Sequence, residues 1–180
     1  MKMSIPKLKA TLLYFCHNTD PRFLGKVKLM KLFYFLDFNH LKKYGLPVTY
    51  DTYYKLEHGP IPSVIKNIID EASENIEGSE LSDTIYFKTP NGTIMRQCRP
   101  VRNFTKKDKS FFTKSEQEVL KAVCIKYNKY STRKIEKSSH SESAWKNSEY
   151  AQKIQYSLAA DDSDCGFSKQ EIDLIIESFA

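Results

Sequence analysis

Asp37 and His40 stand three residues apart inside a long apolar run, a spacing that lets two side chains meet on one helix face. A carboxylate beside an imidazole is the vocabulary of acid–base catalysis. Here the local sequence sets no nucleophile and no metal ligand next to them. The pair is therefore read as a buried, hydrogen-bonded Asp37–His40 couple that fixes the core, since buried polar groups need partners. A second cluster, Ser138-Ser139-His140-Ser141-Glu142, also carries catalytic residue types. Crowding in sequence is not a triad, because triads are assembled by the fold. His140 and the single tryptophan, Trp145, are expected to anchor this turn to the core. Trp145 has a second reading as a contact residue, tryptophan being enriched at binding hot spots. Cysteines occur at positions 16, 98, 124 and 165, without C-x-x-C or zinc-ligand spacing. They are expected as free thiols of a reducing cytoplasm, with Cys124 in the core. Phosphate-cradling glycine loops and H-E-x-x-H are absent from the sequence. No catalytic residue, metal or cofactor is assigned.

These residues need elements to hold them. Ser4 is placed to cap a first helix with Pro6 in its opening turn, and Ile5, Leu8, Leu12, Phe15 and Cys16 give it one apolar face. The second helix, about Lys26 to Lys43, is apolar around most of its circumference. Its polar stripe is Lys28, Lys31, Asn39 and Lys42, and Phe35 falls inside that stripe. Such a helix sits centrally and shows one strip to solvent or to a partner. Phe35 is then either an incidental exposed residue or an interface anchor. Gly45 stops the helix. Val48 to Lys55 reads as extended, Gly59-Pro60 turns the chain, and a third helix runs from about Ile61 to Ser73. Thr84–Thr89 and Thr93–Val101 flank Asn91-Gly92, a two-residue hairpin signal. Thr113-Lys-Ser-Glu116 and Ser168-Lys-Gln-Glu171 are capping boxes, opening helices of about Lys114–Asn128 and Lys169–Phe179. Shorter helices are expected at 132–138 and 144–157. The fold class is α+β: one mostly helical domain over residues 1–180, built around a central hydrophobic helix with a small antiparallel hairpin or sheet.

Composition bounds the rest. Of 180 residues, 41% are hydrophobic and 13% aromatic, enough for a packed core. No apolar run approaches membrane-spanning length and no signal peptide is evident, so a cytoplasmic protein is expected. The net charge of +6 is patchy. Residues 88–114 hold eight basic side chains against Asp108, while 70–83 hold six acids and no base. Opposite-sign patches either are solvated faces or steer a charged protein partner. No helix-turn-helix or ribbon-reader signature accompanies the basic hairpin, which argues against nucleic acid. Eleven tyrosines, among them Tyr50, Tyr53 and Tyr54, suit a protein interface. Tyr53 has an equal reading as packing beneath the Gly59-Pro60 turn.

Three blocks carry a resemblance. Lys28-Leu-Met-Lys-Leu-Phe-Tyr-Phe with downstream His40, then His58-Gly59-Pro60, then Ile135-Glu-Lys-Ser-Ser-His140 with Ala144-Trp145, together resemble the SocA-like Panacea-domain antitoxins. Together they span most of the region from about Leu8 to Tyr156. Family members often carry Tyr where His58 stands, so this chain departs from the pattern there. The resemblance implies a non-enzymatic antitoxin of a type II toxin–antitoxin pair, from a bacterium or a mobile element. Such a protein forms a hetero-oligomer with its cognate toxin, which the adjacent gene would encode. Toxins paired with the family include small alarmone synthetase-like enzymes that modify tRNA. The residues themselves suggest Lys28, Lys31, Phe35, Tyr50, Tyr53, Tyr54, His58 and Trp145 as the contact set for such a partner. Asp37, His40, Gly59, Pro60 and His140 are expected to be structural. Two alternatives stay open: an adaptor that delivers a bound protein to a protease, and a nucleic-acid-binding regulator using the basic hairpin.

Overall fold

The computed structural model describes residues 3–178. Helix α1 (Ile5–Asn18) leads to the central helix α2 (Lys26–Tyr44), and a short hairpin follows, β1 (Tyr53–Leu56) and β2 (Gly59–Pro62). Next come α3 (Ser63–Glu74), strands β3 (Ile85–Lys88) and β4 (Gln97–Pro100), and the single turn α4 (Lys106–Lys109). The chain continues through α5 (Lys114–Tyr127), α6 (Thr132–Ser141), α7 (Ser143–Lys146), β5 (Lys153–Ile154), a 3-10 turn (Tyr156–Asp161) and α8 (Lys169–Ser178). The fold is α+β and mostly helical. Its two sheets are small and antiparallel, one ordered β2-β1-β5 and the other β3-β4. Phe179 lies outside the described residues.

Helix α2 is central because nearly all of it is apolar or internally paired. Leu29, Leu32, Phe33, Tyr34, Phe35, Leu36, Phe38 and Leu41 are all fully buried. Elements α1, α3, α5, α6, the β1–β2 hairpin and the 3-10 turn surround it. Gly45 closes it in the left-handed region at φ 78°, with its N–H bonded to the Leu41 carbonyl. The polar stripe has the expected members but not the expected exposure. Lys28, Lys31 and Phe35 are fully buried and Lys42 is 4% exposed, because α5, α6 and the hairpin pack directly over that side.

Four local expectations are corrected. Ser4 makes no side-chain cap, and α1 begins on backbone geometry with Pro6 in its first turn. Residues Gly59–Pro62 form a strand, so α3 starts at Ser63. Asn91-Gly92 does not close a two-residue hairpin, since Lys88 pairs with Gln97 and residues 89–96 form a loop. The Cys98 N–H donates to the Leu24 carbonyl at 2.7 Å, so tertiary docking of β4 on α1 and on the loop before α2 sets the register. The stretch 144–157 is one helical turn, then β5, then the start of the 3-10 turn, not a helix. Its Lys153–Ile154 segment is recruited as a third strand against β1. The capping box at Thr113/Glu116 forms, and Ser168 and Glu171 bond reciprocally. A further box joins Thr105 to Asp108.

Candidate functional site

The sequence blocks that lie far apart in the chain meet at one place, the β1–β2 turn. Lys31, on α2, sends its Nζ to the Pro60 carbonyl at 2.9 Å. Gly59 occupies φ 91°, and a Cβ there would stand 2.7 Å from Ser139 Oγ, 2.9 Å from Lys31 Cε and 3.1 Å from His140 Nε2. Only glycine fits, for conformation and for space. His140 stacks on Trp145 with centroids 4.0 Å apart and planes 14° from parallel. Lys55 Nζ lies 4.2 Å from the Trp145 ring centroid and donates to the Ser148 carbonyl at 2.8 Å. His140 Nε2 and Trp145 Nε1 are buried without a hydrogen-bond partner. Burial pushes the Lys31 ammonium down to about 7, and burial followed by the nearby Lys31 charge holds the His140 imidazole below its usual range.

Lys28 works as Lys31 does. Its Nζ donates to the carbonyls of Asn128 at 2.7 Å and Tyr130 at 3.0 Å, closing the α5–α6 link onto α2. Lys42 reaches the far end of α6, pairing with Glu142, with Asp162 at 2.8 Å and with Asp164 at 3.2 Å. Three lysines of one helix thus staple three separate connections.

Asp37 is the polar centre of the core. It accepts bonds from the N–H of Val48 (2.9 Å) and Thr49 (2.7 Å), and from the hydroxyls of Thr49, Tyr53 (2.9 Å) and Tyr156 (3.1 Å). Burial pushes its carboxyl up to about 6 while the donors pull the other way, so it is ionised at neutral pH. The expected Asp37–His40 couple does not form. His40 bonds the Leu46 carbonyl at 2.5 Å and Ser115 Oγ at 3.1 Å instead, because the turn after α2 and the start of α5 reach it. Each of the two residues has its own set of partners. Asp51 was missed: it accepts the N–H of Val64 at 3.1 Å and Ile65 at 2.8 Å, capping α3 from across the hairpin. No local signal marks a cap that stands twelve residues before its helix.

The residues that converge here fall within one family pattern. Residues 29–146 match the model of the Antitoxin SocA-like, Panacea domain family. The chain belongs to that family. No curated protein and no solved structure matches it. In this Panacea domain the matched segment runs from α2 to α7 and so holds Lys31, Gly59, Pro60, His140 and Trp145. Among the described residues no group of three His, Cys, Asp or Glu could hold a metal, and no helix is long and apolar enough to cross a membrane.

The Panacea domain presents only part of the expected contact set at its surface. Lys28, Lys31 and Phe35 are inside, Phe35 stacked on Tyr127 at 4.2 Å, and Tyr53 is 1% exposed with its hydroxyl on Asp37. These four serve the core, and a partner cannot touch them without unfolding their surroundings. Tyr54 is on the surface, and the His58 side chain is 70% exposed, 3.7 Å from Glu136. Trp145 is half-buried beneath Lys55, and Tyr50 is half-buried at φ 54°. Leu56, which sequence reasoning missed, shares the outward face of β1 with Tyr54. Ile61 stands opposite Tyr54 in the register, and Val64 follows at the start of α3, also exposed. The result is an apolar sheet face beside the His58 turn. Of the acids in 70–83, Asp70 pairs with Lys26 and Lys66 and Asp83 with Lys9, whereas Glu71, Glu74, Glu77 and Glu80 are exposed.

Proposed function

We propose that this Panacea domain is the antitoxin of a type II pair and neutralises a cognate protein toxin by binding it directly and occluding its active site. What supports the reading is membership of an antitoxin family together with an exposed apolar patch on the segment that the family model covers. The contact surface is the outer face of the β1–β2 hairpin, with Tyr54, Leu56 and His58 at its centre and Trp145 and Tyr50 as further contacts. An aromatic and an aliphatic anchor on a rigid strand lose little entropy on binding, which is what a hot spot requires. Buried Lys31 holds that hairpin in place from within, through the Pro60 carbonyl. Neutralisation needs no bond made or broken.

The toxin, in this reading, is the product of the adjacent gene and acts on tRNA with ATP, so its active site is positively charged. Glu71, Glu74, Glu77 and Glu80, exposed at the end of α3 and beyond, supply the complementary field. Co-expression tests this. Wild-type antitoxin restores growth to cells that express the toxin, and the double variant Tyr54→Asp/Leu56→Asp, folded but altered on that face, fails to. Full rescue by the double variant removes the hairpin from the interface.

A further inference from the structure

The partner of His40 opens a second site, independent of toxin binding. Ser115 Oγ lies 3.1 Å from His40 Nε2, and His40 Nδ1 lies 2.5 Å from the Leu46 carbonyl. A carbonyl only accepts, so Nδ1 carries the proton and Nε2 presents its lone pair to the serine. Thr113 Oγ1 stands 3.0 Å from Ser115 Oγ and completes a directed chain: Thr113 hydroxyl to Ser115, Ser115 hydroxyl to His40, His40 to Leu46. Burial holds His40 below the ordinary imidazole range, which keeps it neutral and able to accept.

The surroundings fit a reaction. Ser115 is the second residue of the fourteen-residue helix α5. In the first turn of that helix the Glu116 N–H is taken by Thr113 Oγ1, which leaves those of Lys114 and Ser115 without an intrahelical acceptor. Both can donate to an oxyanion, and the Glu116 carboxylate in the same turn is neutralised by Lys7 at 2.6 Å and held by the Thr113 N–H at 2.9 Å. His40 and Ser115 line an open cavity of about 440 Å³, walled on one side by Met3, Leu46, Pro47 and Val48 and on the other by the Lys7–Glu116 ion pair. Tyr50 lines the same cavity at φ 54°, a conformation that costs a non-glycine residue about 1–2 kcal/mol. Nucleophile, base, base-orienting acceptor and oxyanion donors come from α2, the loop after it and α5.

We propose that Ser115 and His40 form a nucleophile–base pair for acyl transfer, with a short-chain carboxylic ester as substrate. Ser115 Oγ attacks the carbonyl carbon as its proton passes to His40 Nε2, and the carbonyl electron pair moves onto oxygen. Collapse expels the alkoxide, which takes the proton from His40. Water then enters on the same base, releasing the carboxylic acid and restoring the serine. A backbone carbonyl behind the imidazole stabilises imidazolium less than a carboxylate does, so turnover is slow.

The test uses the full chain and a fluorophosphonate–rhodamine probe, whose phosphorus bonds Ser Oγ as fluoride leaves. Peptide mapping of wild type places the adduct on Ser115, and Ser138→Ala keeps it. Ser115→Ala removes it and lowers p-nitrophenyl butyrate hydrolysis by about 100-fold or more, the scale of an assisted nucleophile. No adduct on wild type, an adduct on another residue, or equal hydrolysis by a folded Ser115→Ala protein overturns the proposal and leaves the Ser115–His40 bond as a brace between α2 and α5.

Discussion

Lys31 Nζ and the Pro60 carbonyl, 2.9 Å apart, join the central helix to the β1–β2 turn. The bond explains why a lysine stands in the most apolar helix of the chain. The buried Pro60 carbonyl needs a donor, and a long side chain with a terminal N–H reaches it from α2. Burial depresses the ammonium to about 7, against 10.5 in the unfolded chain. Above about pH 7 the folded protein has released a proton that the unfolded chain keeps until about 10.5. Stability from this group therefore rises with pH across that window, by at most about 1.4 kcal/mol per unit. Lys31→Met abolishes that slope. Urea unfolding at pH 7, 8 and 9 measures it, and equal slopes for the two proteins refute the burial of the charge.

Gly59 and Gly92 make a controlled pair. Both have positive φ, 91° and 77°, so alanine costs each about 1–2 kcal/mol. At Gly92 nothing lies within 4 Å, whereas at Gly59 a Cβ meets Ser139, Lys31 and His140. Gly59→Ala is expected to lower stability clearly more than Gly92→Ala, and to disturb the His140–Trp145 stack. Tryptophan fluorescence reports that stack, and equal denaturation midpoints for the two variants contradict the packing.

Asp37 supports five donors from four residues. Asp37→Ala leaves four of these donors without that acceptor in the core, while the Tyr156 hydroxyl keeps the Asp51 carbonyl at 2.8 Å, and it is expected to cost about 3–5 kcal/mol, the scale of a broken buried network. Chemical denaturation checks this. A loss below about 1 kcal/mol, that of an ordinary surface change, contradicts the hub.

Phe35 and Tyr54 separate core from contact. Phe35→Ala opens a cavity beside Tyr127 and is expected to cost about 3–5 kcal/mol of stability. Tyr54→Ala leaves the melting temperature near wild type and weakens toxin binding by roughly 30-fold, about 2 kcal/mol. Thermal melts alongside binding titrations distinguish the two. Unchanged affinity for Tyr54→Ala rules out its role as an anchor.

Much of the fold was legible because it rests on local physics. The apolar circumference of α2, Gly45 at its end and the Thr113 capping box all follow from neighbours in sequence. What was not legible depended on distant chain. The stripe Lys28, Lys31, Lys42 is a solvated face by periodicity, yet its acceptors are supplied by Asn128, Pro60 and Glu142. Asn91-Gly92 carries a hairpin signal, but the bond from Cys98 to Leu24 overrides its register. Asp37 and His40 have the spacing of a pair, and each instead finds partners brought by the fold. Of the expected contact residues, those on β1 facing outward stayed at the surface and those on α2 did not. One face of a strand alternates cleanly, while a helix enclosed on all sides has no face to show.

The central claim is that this protein works by covering a toxin. Isothermal titration of the purified neighbouring gene product with the full chain, with toxin activity assayed along the same titration, tests it most directly. The account predicts saturable binding in the nanomolar range and toxin activity that falls in proportion to complex formed. A toxin that stays fully active with this chain in excess, or no binding at all, contradicts it.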